Sequence, residues 1–342
     1  MRNIFLFWFV NKKLSSCLRR CLAASVAACS FFLFSLLLAG CVADDQNLKE
    51  DRQTSTDSSV PLFQQEHSSQ THENEMDVVS NSNDDYGWQI KVIDSSGEEI
   101  ISFSENRLSE LLSDLSGRFS HAYSTINNWP ATRFYAADGF TVSSILQAAG
   151  VFDSVQTVTF RAEDGYEISL TETQLFREQY YYPYAGESDV GAQVVHPVIA
   201  FRWREGTTDL NELREDKPML IFGQGNPFEH SNPAFVVGVS EIVIDYAPCS
   251  KWDAATTFPL PGLIAEGETV KLQHSHFGIV KLHYTTDGSD PTVMSPMYNP
   301  STYQPELNMP IPITEPTTIK VLAVGYGRYD SDVAEFDFSP IP

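Results

Sequence analysis

The hydrophobic pattern changes character several times along the chain. An unbroken apolar run from Leu22 to Leu38 gives way to a polar stretch reaching residue 85. From Trp88 onward short apolar groups recur with regular spacing. Gln89–Ile93 reads as a strand and Ser95–Gly97 as a turn. Ser104 or Ser109 is placed to open a helix running to about Leu115. Val142, Ile145, Leu146 and Ala149 fall on one face at helical spacing, and Gly150 follows as a terminator, which predicts a helix over 141–149. Thr157–Arg161 and Tyr166–Leu170 flank Glu163-Asp164-Gly165 as a hairpin. Thr171 and Gln174 stand three apart, the spacing of a capping box. Further strands are expected at Val198–Trp203, Met219–Phe222 and Phe235–Ile244. Residues 249–266, with Pro259, Pro261 and Gly262, read as a linker. Beyond it the pattern alternates strictly: Val270 and Leu272, then Val280, Leu282 and Tyr284, then Ile319, Val321 and Ala323, then Phe336 and Phe338. Short strands without a helix signal predict an all-β, immunoglobulin-like sandwich over 267–339.

The apolar run carries a targeting signal. It follows Arg19-Arg20 and ends in Ala39-Gly40-Cys41, so a basic region, an apolar core and a small-residue cleavage site stand in order. Leu38-Ala39-Gly40-Cys41 resembles the lipobox of bacterial lipoproteins. That resemblance implies a signal peptide over 1–40, cleavage between Gly40 and Cys41, and lipid attached to Cys41. The mature protein is then exported and anchored to the outer face of the cell membrane, since two or three acyl chains hold stably where one does not. Residues 41–85 are rich in Ser, Gln, Asn, Thr and Asp, with Phe63 their single aromatic. Such a segment cannot bury enough apolar area to offset its ordering entropy, and it is expected to be a disordered acidic tether spanning about 35–40 Å.

Charge and cysteine usage narrow the classes of partner. The chain of 342 residues has 45 acidic against 22 basic side chains, and five of the basic ones lie in the first 41 residues. No basic cluster is left to neutralise a phosphate backbone, which argues against nucleic acid. Four of the five cysteines also lie in the first 41 residues, leaving Cys249 alone in the folded part. An intrachain disulfide framework and a Cys-rich metal site are therefore excluded there.

The segment Asp138-Gly139-Phe140-Thr141-Val142-Ser143-Ser144-Ile145-Leu146-Gln147-Ala148-Ala149-Gly150-Val151 resembles the Gly-x-x-Leu-x-x-Leu-Leu-x-x-Ala-Gly-Val stretch of sulfite-oxidase-type molybdopterin domains. The hairpin Val158–Tyr166, a strand near Pro218–Ile221 and a last strand ending at Ile244 follow in the same order. The resemblance implies an α+β, molybdopterin-oxidoreductase-like fold over 86–248. In that family a cysteine in the loop before the helix ligates molybdenum. The corresponding stretch here, Tyr123–Pro130, has no cysteine, and a serine hydroxyl is a far poorer soft-metal ligand. A site without its cofactor is expected. Its pocket is expected around Ser124, Asn128, Trp129, Arg133, Tyr182 and His230, beside Tyr180, Tyr181 and Tyr184 and the loop Gly223–His230.

In the second domain Tyr284-Thr285-Thr286-Asp287-Gly288-Ser289-Asp290-Pro291-Thr292, with Thr317–Val324 and Gly327–Ala334, closely resembles the chitobiase/β-hexosaminidase C-terminal type of sandwich, also known as the GH29D-like module. In relatives the module is an accessory to catalysis. Tyr284, Thr286, Asp287, Gly288, Asp290 and Pro291 accordingly read as turn architecture. His274, His276 and His283, and the pair Asp287 and Asp290, lack the partners a metal site needs.

These readings converge on a lipid-anchored surface protein with a non-catalytic binding or scaffolding role, whose partner is a cell-surface protein or a glycan. The alternatives are a molybdopterin-dependent oxidoreductase with a divergent site and a glycan-binding accessory lipoprotein.

Overall fold

A computed structural model describes residues 87–113, 117–151 and 154–341. The expected signal segment 1–40, the expected lipid site Cys41 and the expected tether 41–85 lie outside the described residues. Those that are described are mostly β-sheet with few helices.

The first part opens with β1 (Gln89–Asp94) and β2 (Glu99–Ser104), then α1 (Glu105–Leu111), β3 (Arg118–Ile126) and β4 (Thr132–Thr141). It continues with α2 (Val142–Ala148), β5 (Thr157–Ala162), β6 (Glu167–Thr171) and α3 (Glu172–Phe176). Then come β7 (Gln179–Tyr181), β8 (Gln193–Val195), β9 (Val198–Glu205), β10 (Arg214–Ile221), β11 (Val236–Val237) and β12 (Val239–Asp245). One five-stranded sheet has the order β2-β1-β12-β5-β6 and the other β11-β10-β9-β4-β3. Both contribute to a single core, with Val92, Phe160 and Ile242 from the first and Tyr123, Phe140 and Ile199 from the second. The helices are short, of seven, seven and five residues. Each begins at a hydroxyl cap: Ser104, Thr141 and Thr171 accept from the backbone N–H of Arg107, Ser144 and Gln174. A cap oxygen satisfies one of the donors that a helix start leaves free. The capping box between Thr171 and Gln174 is present in full.

Three expectations are corrected. The strand expected over Phe235–Ile244 is two strands in different sheets. Gly238, at φ +78°, carries the chain from β11 to β12, a backbone conformation that glycine adopts without steric cost. The stretch Tyr123–Pro130, expected as a loop, begins inside β3, where Ser124 and Thr125 are fully buried. The expected linker 249–266 contains β13 (Thr256–Phe258) and β14 (Gly262–Ala265). Trp252, Ala255 and Ile264 from this segment belong to the second core. Its prolines interrupt the chain between strands and do not exclude it from the sheets.

The second part adds β15 (Thr269–Gln273), β16 (Lys281–Thr285), β17 (Ile311–Pro312), β18 (Thr317–Val324) and β19 (Ala334–Ile341). A three-stranded sheet, β13-β15-β17, faces a four-stranded one, β14-β19-β18-β16, across a core of Val270, Leu272, Leu282, Ile319, Val321 and Phe338. Alternating inward residues of two sheets around one core make a β-sandwich. The described residues fall in one compact unit. The β18–β19 loop docks on the first domain. Gln174 Nε2 donates to the carbonyls of Gly325 (2.8 Å) and Arg328 (3.1 Å), and its Oε1 accepts from Gly327 N–H (2.9 Å). Tyr326 packs edge-on to Phe222, with ring centroids 5.7 Å apart.

Candidate functional site

The docked domains leave a cavity of about 630 Å³ between them, adjoined by a second of about 500 Å³. His230, His283, Phe228, Val293 and Met297 line both. A volume of this size suits a small molecule.

One wall comes from the first domain. Arg177, just after α3, pairs with Glu229, whose other oxygen accepts from Gly225 N–H at 2.5 Å. Tyr326 of the second domain donates to the same carboxylate at 2.9 Å. A Cβ on Gly225 would lie 3.0 Å from the guanidinium carbon of Arg177, so a side chain there would crowd the pair. Arg177 Nε is buried without a partner, as is His230 Nδ1.

The opposite wall comes from β16 and the β18–β19 loop. Lys281 Nζ donates to Asn128 Oδ1 (3.2 Å) and to the carbonyls of Asn299 and Pro300 (3.3 Å each). No carboxylate is among these partners, and burial pushes the amine down to about 8. His283 Nδ1 lies 2.9 Å from the Ser295 carbonyl, and burial lowers its affinity for a proton. His230 is pushed down to about 3, first by burial and then by the charges of Lys281 and His283. Both imidazoles are therefore neutral near pH 7. Burial pushes the Asp330 carboxyl up, against the pull of Arg177. Arg328 lies over the Trp252 ring at 4.8 Å.

The six expected pocket residues separate. Asn128 and His230 line the larger cavity. Ser124 and Tyr182 do meet, but as a closed contact: Ser124 Oγ donates to Gln224 Oε1 at 2.6 Å and accepts from Tyr182 N–H at 2.8 Å. Trp129 is exposed and stacks on Tyr303 at 5.3 Å. Arg133 is exposed and lies 3.6 Å from Glu205. Lys281, Arg177, Tyr326 and Asp330 were not among the expected residues. Each is brought to the cavity by the docking of two domains, which leaves no local spacing to read.

The residues present do not fit thiolate ligation of molybdenum. The Ser124 hydroxyl is already engaged on both sides. Cys249 Sγ rests 3.4 Å from the Gly327 carbonyl and does not line the cavity. Among the described residues no group of three or more His, Cys, Asp or Glu could hold a metal ion.

The sandwich motif folds as a turn. Asp287 Oδ1 accepts from Ser289 N–H (3.0 Å) and Oγ (2.6 Å), and Gly288 sits at φ +80°. Asp290 accepts from Lys320 Nζ at 2.8 Å. Tyr284 lies in β16 and packs edge-on to Tyr298, Thr286 is exposed and Pro291 is buried. His274 and His276 follow β15 and pack against Trp252, and His274 Nε2 lies 2.9 Å from the Asp253 carbonyl.

Residues 259–335 match the family model of the chitobiase/beta-hexosaminidase C-terminal domain. The match takes in β14 to β18 and the turn around Gly288, and the sandwich is similar to that domain. No curated protein matches the chain.

Proposed function

We propose that this chain is a lipid-anchored, extracytoplasmic protein with a non-catalytic binding role, holding its ligand between its two domains. The observation that carries this reading is the interdomain cavity, whose walls come from both domains. In this reading the first domain is kin to the molybdopterin oxidoreductases and has given up their metal ligand. The enclosed hydroxyl of Ser124 supports that step. The lipobox supplies the anchor at Cys41, and the acidic tether holds the folded part away from the membrane.

Two measurements test it. Cys41→Ser moves the protein from the membrane to the soluble fraction and abolishes incorporation of labelled palmitate; retention in the membrane removes the lipoprotein reading. Elemental analysis of the purified full chain finds no stoichiometric molybdenum, and a one-to-one content restores the oxidoreductase. A glycan is a second reading for the partner. Trp129 and Tyr303 support it, two exposed rings stacked within 10° of parallel across the domain boundary, the kind of flat surface on which a sugar ring rests. Loss of glycan-array signal in Trp129→Ala separates this surface from the cavity.

A further inference from the structure

Lys281 is a partly buried ammonium without a counter-ion. Its three donors end on neutral oxygens, one amide and two carbonyls, at 3.2 and 3.3 Å. These distances are at the long end for an N–H···O bond. They satisfy the hydrogens and leave the charge uncompensated. This happens in a chain with twice as many acidic as basic side chains, so the lack of a carboxylate beside Lys281 is not a matter of supply.

The neighbours sharpen the point. Of the other cations that line the cavity, Arg177 in the first domain's wall is neutralised by Glu229 and Arg328 lies over the Trp252 ring. His230 makes no hydrogen bond among the described residues, and its Nδ1 is buried without a partner. The same cavity also presents apolar side chains, among them Ile279, Val293 and Met297. An uncompensated cation on an apolar wall suits a ligand with one negative group and an apolar body. Glu229 and Asp330 line the same space, so a second negative charge on the ligand would meet them unfavourably.

We infer that the larger cavity is a site for a small organic monocarboxylate, its anion seated at Lys281 and its body against Ile279, Val293 and Met297. The inference rests on the reading of that cavity as a ligand site and names the ligand's class. A carboxylate forms charge-assisted bonds with an ammonium that are shorter and roughly twice as strong as neutral ones, and it displaces the long contacts to Asn128 and the carbonyls.

The test uses fluorine NMR titration of the full chain in detergent, with a detergent blank. The probes are 4-fluorophenylacetate and its neutral analogue, 4-fluorophenylacetamide. The acid is expected to saturate at one site and to bind at least about tenfold more tightly than the amide, the factor that one charge-assisted bond supplies. Lys281→Met removes this preference and leaves the amide's weaker binding unchanged. Asn128→Asp keeps the lysine and gives it an internal counter-ion, so the acid's preference is lost. That second variant keeps the test sharp if Lys281→Met fails to fold. Amide binding equal to the acid's in the wild type overturns the inference and leaves the ligand-site reading standing. Undiminished acid binding in Asn128→Asp, or no acid binding to the wild type at millimolar concentration, also overturns it.

Discussion

Asp138 is 2% exposed and carries a charge, so it needs partners to stay in the fold. It has three. Arg118 and Arg202 both reach Oδ2, at 2.6 and 2.5 Å, and Ser120 donates to Oδ1. Burial alone would push the carboxyl up, but the bonds from Arg118, Ser120 and Arg202 outweigh it and hold it at about 2. The unfolded chain, with an ordinary aspartate, therefore binds the proton first as pH falls. Asp138 contributes its stability in full above about pH 4 and loses it as pH falls toward 2. Asp138→Asn is expected to cost about 3 kcal/mol at pH 7, the low end for breaking a buried pair, because both arginines reach water. Denaturant midpoints measured from pH 7 to pH 2 should show the gap between variant and wild type closing below pH 4. A gap that stays constant to pH 2 contradicts the assignment. Sequence separation hides this cluster, since Arg118 and Arg202 lie 20 and 64 positions from Asp138.

Among the elements, those set by local chemistry were legible and those set by pairing were not. Helix α2 stands where its apolar spacing and Gly150 placed it, and the β5–β6 hairpin turns at Asp164-Gly165. The 3.6-residue period and the turn residues act within a few positions, so one segment carries the whole signal. Strands β3 and β4 lacked that signal. Ser124, Thr125 and Asp138 break the expected alternation, because their polar groups are satisfied by Gln224, Ser231 and the two arginines, far away in the chain. The β4–β9 pairing adds a device of its own. The register shifts between Asp138 and Gly139, and a Cβ at Gly139 would lie 2.0 Å from the Ile199 carbonyl oxygen. The atoms it would meet are backbone of β9, which cannot yield as a flexible side chain would. Gly139→Ala should destabilise the first domain by about 3 kcal/mol, the upper range for overpacking. Thermal unfolding checks it, and an unchanged midpoint would mean that the two strands separate without cost. Gly165→Ala, with no atom within 4 Å of the added carbon, serves as the comparison for φ strain alone.

At the scale of the whole molecule the two cores are joined by few polar straps, and Gln174 bears the most. Its sequence spacing marked it as a helix cap, and it is one: Oε1 accepts from Thr171 N–H at 3.1 Å. The same amide reaches across to Gly325, Gly327 and Arg328, about 150 positions away. A cap needs only an acceptor, whereas the strap also needs the two donors of Nε2. Glutamate is a proper cap residue at this position and lacks those donors. Gln174→Glu therefore separates the two roles. Helix α3 keeps its start, while the carbonyls of Gly325 and Arg328 lose their partners and face a negative charge. The cost is about 2–3 kcal/mol, the sum expected for two part-buried bonds and an added repulsion. Hydrogen exchange over 325–330 should quicken in this variant, while exchange within α3 stays as in the wild type. Equal protection at both places would mean that apolar contact, chiefly Tyr326 against Phe222, seats the second domain unaided. Because Lys281 reaches Asn128 only across the seated interface, faster exchange at 325–330 should come with weaker acid binding in the same variant. The cavity would then be a property of the docking and not of either domain.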